Sequence, residues 1–245
     1  MKLDVENYRY NGEKKLDLGS ISTSFDEQIE KKESKNIIED TIDWLKEYQE
    51  KLFASEKRSV LVIFQAMDAA GKDSTLRRLV SGINPQGIQV HGFKKPSTTE
   101  RLHDFLWRVN DKVPQKGMIH LFNRSHYEEV LVTKVHPEYI LGQNIPHLNN
   151  VEDINSEFWN ERYHAIRSFE KNLTQSGTVI IKFFLNVSRE EQKDRLLDRM
   201  NEPDKNWKFN IGDVHERQLW PKYMQAYQEA INQTATENAP WFVIP

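Results

Sequence analysis

The stretch "SVLVIFQAMDAAGKDSTLRR", residues 59–78, limits the possible folds more than any other part of the chain. A nearly continuous apolar run, rich in Val and Ile, ends in Asp68-Ala69-Ala70-Gly71-Lys72 and passes at once into helix-forming residues. Apolar residues without alternation suit a strand covered on both faces. A strand, a Gly-Lys turn and a helix in that order are the setting of a phosphate-binding loop, G-x-x-x-x-G-K-[ST]. Gly71 and Lys72 fit that pattern. Ala66 stands where its first glycine belongs, and Asp73 where its metal-binding hydroxyl belongs.

The chemistry expected of the loop follows from its position. Backbone N–H groups of Ala69, Ala70 and Gly71, and of Asp73, Ser74 and Thr75 at the helix start, would cradle phosphate oxygens with the help of the helix dipole. Lys72 supplies a point charge, and Ser74 or Thr75 a hydroxyl. Asp68 is unusual, because a carboxylate repels phosphate unless a cation lies between them, which implies Mg²⁺. The plain alternative is a strand–turn–helix with a solvent-facing lysine.

Four more apolar runs read as strands: "IQVHGF" (88–93), "MIHLFN" (118–123), "TVIIKFFLNV" (178–187) and "APWFVIP" (239–245). Helical spacing fills most of the gaps. Ile38, Ile42, Leu45 and Leu52 mark a helix before the first strand; Ile154, Phe158, Tyr163, Ile166, Phe169 and Leu173 mark a long one before the fourth. Ser188 with Glu191 forms a capping box opening a helix to about Met200. Alternating strands and helices predict an α/β three-layer fold, a five-stranded parallel sheet with helices on both faces. Residues 1–55 read as a helical N-terminal extension and 56–245 as the catalytic domain, with a lid over about 188–215.

Three further groups of residues gather chemistry. Asn123 and Arg124 end the third strand, beside the loop strand. Asn123 is a neutral oxygen ligand for metal, Arg124 a guanidinium for charge on a phosphoryl group in transfer. Glu128 faces the same metal, whereas Glu129 reads as ordinary acidity at a helix start. The basic loop "FKKPSTTE" (93–100) offers Lys94 and Lys95 where ligands of such sheets collect, and Lys134 adds a cation. Arg195 and Arg199, one helical turn apart, precede a polar segment carrying Lys205, Trp207 and Lys208. Surface ion pairs with Glu191 and Asp198 are the bland reading of those arginines. The histidines show no zinc or metalloprotease spacing.

The charge distribution agrees with an anion site in the middle. The whole chain is at net −3, which gives no overall case for nucleic-acid binding. Residues 71–134 carry 11 basic and 6 acidic side chains, whereas residues 1–50 carry 8 and 13. The absence of cysteine suits a reducing cytoplasm. "MKLDVENYRY" has no apolar signal core, and no apolar run approaches the ~18 residues of a membrane span. A cytoplasmic protein without a membrane partner is expected.

Together, "QAMDAAGKDST", "FKKPS", "HDFLWR", "FNRSHYEEVLV", "EEQKDRLLDR", "NWKFN" and "APWFVIP" closely resemble the polyphosphate kinase 2 family, over residues 60–245 and more weakly upstream. The resemblance implies a P-loop kinase core with a helical lid and a homo-oligomer, dimer or tetramer. It also implies phosphoryl transfer between inorganic polyphosphate and adenine or guanine nucleotides with Mg²⁺ or Mn²⁺. "FNRSHYEEVLV" looks like the branch that accepts both nucleoside mono- and diphosphates. By the same resemblance Asp68, Lys72, Arg124, Arg195 and Arg199 are catalytic. Asp68 and Asn123 are the metal ligands, and Lys94, Lys95, Lys134, Lys205, Lys208 and Glu128 contact phosphate or nucleotide. Many members carry Asp at the position of Asn123 and Asn at that of Glu128, so negative charge is displaced by five positions here. Members also continue past the last strand with a charged segment and a helix, whereas this sequence stops at Pro245. Two other readings use the same residues: an ATP-dependent nucleoside monophosphate kinase, and a polyphosphate-binding module without catalysis.

Overall fold

The computed structural model describes residues 4–25, 30–202 and 210–245, with the backbone alone for Lys31. Its middle layer is a six-stranded sheet of β1 (Arg9–Tyr10), β2 (Ser59–Ala66), β3 (Ile88–Gly92), β4 (Ile119–Asn123), β5 (Thr178–Leu185) and β6 (Trp241–Ile244). The order is β1-β6-β5-β2-β4-β3. β2 to β6 are the five expected strands, and all their pairings are parallel. The sixth was not expected: β1 pairs antiparallel with β6, Arg9 opposite Phe242 and Tyr10 opposite Trp241. The sheet is therefore mixed. Two residues are too few to leave a periodic signal.

The helices are α1 (Lys31–Ser55), α2 (Lys72–Val80), α3 (Thr98–Arg101), α4 (Trp107–Asn110), α5 (Glu128–Val135), α6 (Glu138–Leu141), α7 (Ser156–Gln175), α8 (Arg189–Asn201), α9 (Ile211–Gln218) and α10 (Trp220–Thr234). None of the described helices is long and apolar enough to cross a membrane. Of the expected N-terminal helical extension, Lys31–Ser55 is α-helix; before it, Leu16 and Leu18 are buried and their N–H groups donate to Asn232 (2.7 Å) and Gln228 (2.8 Å) of α10.

Alternate residues of each strand feed two cores. Leu61, Ile63, Phe122, Ile180, Phe184, Trp241 and Val243 pack with α5, α7 and α10 on one face. Phe64, Ile88, Ile119 and Leu121 pack on the other, against Leu76 of α2 and Leu45 and Leu52 of α1. Each fully buried side chain of this kind contributes about 1.5–3 kcal/mol. Double-sided coverage keeps β2 and β4 rigid, and their carboxyl ends lie side by side in the middle of the sheet. There Phe64 pairs with Asn123, and the Arg124 N–H donates to the Phe64 carbonyl at 3.0 Å.

Only the first half of the Ser188 capping box forms. The Ser188 hydroxyl accepts from the Glu191 N–H at 3.0 Å, while the Glu191 carboxylate turns to Arg195 at 2.7 Å. The expected lid thus includes α8 and the start of α9. Lys205, Trp207 and Lys208 lie outside the described residues.

Candidate active site

The loop between β2 and α2 holds its shape by two left-handed residues. Gly71, the N-cap of α2, has φ +101° and Ala69 has φ +62°. For an alanine that conformation costs roughly 1–2 kcal/mol. Ala66, in contrast, is the last residue of β2 and pairs with Leu185 of β5. No glycine is needed there, because the chain is still extended; the sharp turns fall three and five residues later.

Lys72 is 8% exposed and bonds back to its own loop, donating to the carbonyls of Ala66 (2.7 Å) and Met67 (3.1 Å). Burial lowers the pKa of its ammonium, against the pull of Asp68. The Ser74 hydroxyl donates to the Gly71 carbonyl at 2.8 Å, and the Thr75 N–H donates to the same oxygen at 3.0 Å. Asp73 accepts from the Asn123 amide at 2.7 Å. The residue that displaces the usual hydroxyl is therefore tied to the end of β4. This contact occupies the Asn123 nitrogen.

Arg124 continues β4 into a left-handed turn (φ +64°) that throws its side chain back towards the loop. Its guanidinium meets Asp68 at 2.6 Å and Glu128 at 3.8 Å. Burial opposes the charge of Arg124, but Glu128 and Asp68 outweigh it and hold the guanidinium above its ordinary range. Glu128 is itself raised by burial, against Arg124 and Lys72.

Glu129 is not ordinary helix-start acidity. It is buried, accepts from Gln143 at 2.6 Å, and lies 3.9 Å from Arg108 and 3.6 Å from Arg162. Arg108 in turn donates to the Lys94 carbonyl at 2.7 Å. One residue of the Glu-Glu pair faces the loop, and its neighbour anchors the basic segment from behind. Lys94 and Lys95 are exposed on that segment, with the Lys95 ammonium 5.7 Å from the Tyr139 ring. Lys134 sits about 9 Å farther along α5 than Glu128, paired with Glu229 and over the rings of Trp159 and Tyr163. Those contacts engage it away from the loop.

α8 closes the site from the other side. The Arg195 guanidinium donates to the Ala69 carbonyl at 3.3 Å and to Glu191 at 2.7 Å. A Cβ on Gly71 would lie 3.4 Å from the same guanidinium. Arg199 pairs at 3.3 Å with Asp213 of α9, whose carboxyl is raised by burial and then by Asp68. Gln192, which lies within "EEQKDRLLDR" but was given no role there, donates to the Asp68 carbonyl at 2.9 Å. Asp213 was equally invisible in the sequence, because its partner lies fourteen residues earlier on another helix.

Among the described residues no three or more His, Cys, Asp or Glu side chains form a group able to hold a metal by themselves. Mg²⁺ commonly takes one or two carboxylates and completes its shell with water and substrate phosphates. Asp68, which meets Arg124, and Asn123, whose amide is tied to Asp73, would offer one carboxylate and one amide oxygen, which suits that sparse mode and not a closed protein cage.

The β2–loop–α2 unit, the arginine after β4 and the helix over the loop define a P-loop kinase-type fold with three cations, Lys72, Arg124 and Arg195, gathered at the carboxyl edge of its sheet. The family model for polyphosphate kinase 2 matches residues 28–245. An ADP-polyphosphate phosphotransferase of Rhodopseudomonas palustris is 46% identical over 246 residues, covering 100% of this chain and 84% of the relative. An AMP/ADP-polyphosphate phosphotransferase of Meiothermus ruber is 46% identical over 201 residues, 82% of this chain and 70% of the relative. The crystal structure of polyphosphate kinase 2 from Arthrobacter aurescens superposes with a TM-score of 0.89 at 38% identity, covering 100% of this chain and 82% of that one. The chain belongs to the polyphosphate kinase 2 family.

Proposed function

We propose that the protein transfers a phosphoryl group between inorganic polyphosphate and AMP or ADP, forming ADP or ATP, with guanine nucleotides as further acceptors. The observation that carries this reading is the convergence of Lys72, Arg124 and Arg195 on the segment from Ala66 to Gly71. All three cations are held there by oxygens of the protein itself, and phosphate oxygens are natural replacements for those partners.

A terminal oxygen of the nucleotide phosphate attacks the end phosphorus of polyphosphate in line. The new bond joins that oxygen to phosphorus, and the bond to the next bridging oxygen breaks, so the polymer leaves one unit shorter. The attacking oxygen is already anionic, so no general base is required. Positioning and charge neutralisation carry the rate. Lys72 and the loop N–H groups hold the phosphates, Arg124 faces the transferring group, and Arg195 and Arg199 close from α8. Lys94 and Lys95 guide the polymer. Asp68 and the Asn123 oxygen would hold Mg²⁺ or Mn²⁺, which would supply further charge neutralisation. A homo-oligomer in the cytoplasm completes the proposal.

The test incubates the protein with Mg²⁺, polyphosphate and AMP or ADP separately, and resolves the nucleotides by chromatography, with Lys72→Ala as control. ADP from AMP and ATP from ADP are expected without any second nucleotide. Transfer that requires ATP as donor, or binding without turnover, overturns the reading.

A further inference from the structure

Gln192 is a neutral side chain at the centre of a charged site, and it is 1% exposed. Its Nε2 donates to the Asp68 carbonyl at 2.9 Å, while one turn further along α8 Arg195 donates to the next carbonyl, that of Ala69, at 3.3 Å. Consecutive carbonyls of the loop, those of Asp68 and of the left-handed Ala69, are thus held from one helix. The Gln192 Oε1 is buried with no hydrogen-bond partner among the described residues. A half-satisfied buried amide is costly, and its place in a structure asks for a reason.

The reason lies in the difference between an amide and a guanidinium. When phosphate enters the loop, a cation such as Arg195 is drawn from a carbonyl to the anion, because charge-assisted contacts are the stronger ones. An amide has no net charge and gains nothing comparable by moving. A carboxylate at 192 would repel both the carbonyl and the phosphate. An amide is thus the group that donates to the loop and stays behind when the arginine leaves.

We infer that Gln192 is a positioning residue: it keeps the Asp68–Ala69 turn in its phosphate-binding shape after Arg195 has swung to the substrate, and so couples α8 to the loop through the whole turnover. The inference rests on the phosphoryl transfer proposed above for its kinetic part, and on geometry alone for its structural part. It separates two helix residues that the "EEQKDRLLDR" stretch presents together: Arg195 moves with the anion and Gln192 does not.

The experiment compares wild type with Gln192→Met, which keeps the length and bulk of the side chain and removes its donor, and with Gln192→Glu. Hydrogen exchange of backbone amides in residues 67–75 is read without substrate and with tripolyphosphate, beside melting temperature and separate kcat and KM values. For Gln192→Met, exchange in 67–75 is expected to rise, most clearly with tripolyphosphate present, while the central strands keep their protection. A fall of roughly tenfold in kcat with KM for nucleotide changed by less than about threefold is expected, the mark of lost positioning and not of lost binding. Gln192→Glu should be weaker still at neutral pH and recover towards wild type as the medium is acidified, because a protonated carboxyl regains the donor. Unchanged exchange in 67–75 overturns the inference whatever the activity, as does a uniform loss of protection across the sheet in both variants. Should wild type itself show no transfer, the function proposed above falls, and the exchange data still decide the role of Gln192.

Discussion

Two buried lysines show how the same side chain serves opposite ends in one domain. Lys182 of β5 is fully buried beneath the β4–α5 turn and completely partnered: Glu170 at 2.7 Å, the Tyr127 hydroxyl at 3.0 Å and the Thr234 carbonyl at 2.9 Å. Tyr127 donates to the other Glu170 oxygen at 2.8 Å. Lys72 is almost as buried, yet its hydrogen bonds run to two main-chain carbonyls of the loop it belongs to. Burial lowers the pKa of both ammonium groups. Lys182 has a dedicated counter-charge in contact and is fixed. Lys72 has neutral partners that an anion can outbid, which is what a phosphate site requires.

The sharpest break in this comparison is Lys72→Ala. kcat should fall by about 10²–10³-fold or more, while the melting temperature stays within about 3 °C. A steady-state assay and a thermal melt check both halves. Lys182→Ala should do the reverse. Removing one partner of a buried pair costs about 3–5 kcal/mol, or roughly 10 °C in a domain of this size, and kcat of the folded fraction is retained. The Lys182→Met, Glu170→Leu double variant should recover most of that loss. If it melts as low as the single variant, the pair is not the source of the effect.

An intermediate effect is expected from moving the displaced charge back, in Asn123→Asp with Glu128→Asn. Asn123 donates to Asp73, so the first change sets two carboxylates face to face, and the second removes the farther of the two counter-charges of Arg124, at 3.8 Å. A several-fold shift in Mg²⁺ dependence and in the ratio of AMP to ADP use is expected. Unchanged values for both would sink the idea of charge compensation.

The smallest effect concerns His126, beneath the same turn as Lys182. Burial lowers its imidazole below the ordinary 6.5, against Glu170 at 3.5 Å and in the same sense as Lys182. The unfolded chain accepts a proton that the folded protein refuses. The stability involved is complete above about pH 6.5 and is lost as pH falls from there towards the lowered folded value. Melting between pH 7 and 5 should therefore flatten in His126→Phe. Glu170, whose ordinary value is 4.5 and whose folded value is lower, adds its own loss at more acid pH.

The five parallel strands were legible because burial on both faces writes itself as unbroken Val, Ile and Phe, and register with the loop fixed where the site must lie. Asp68, Lys72, Arg124 and Arg195 were legible because they sit at element ends or at helical spacing. What the sequence concealed were partnerships between distant elements. Asn123 was read as a metal ligand, and its amide nitrogen is bound to Asp73. Glu129 looked like a solvent-facing helix-start acid and is buried between two arginines. Lys134 looked like a free cation and is held by Glu229. Gln192 lay within the quoted "EEQKDRLLDR" stretch without a role, since an amide belongs to no catalytic pattern until its carbonyl partner is seen. Ala66 looked like a defect of the loop because the motif's first glycine position falls here on the last residue of β2, three residues before the first left-handed turn.

The two-residue strand β1 has a consequence for handling the protein. By pairing with β6 it occupies backbone groups that would otherwise face outward on that side of the sheet, and Leu16 and Leu18 seal the apolar surface behind it. A version trimmed past residue 20 would present an open, hydrophobic strand to its neighbours in solution. Its first symptom would be aggregation on expression, well before any defect in chemistry could be measured.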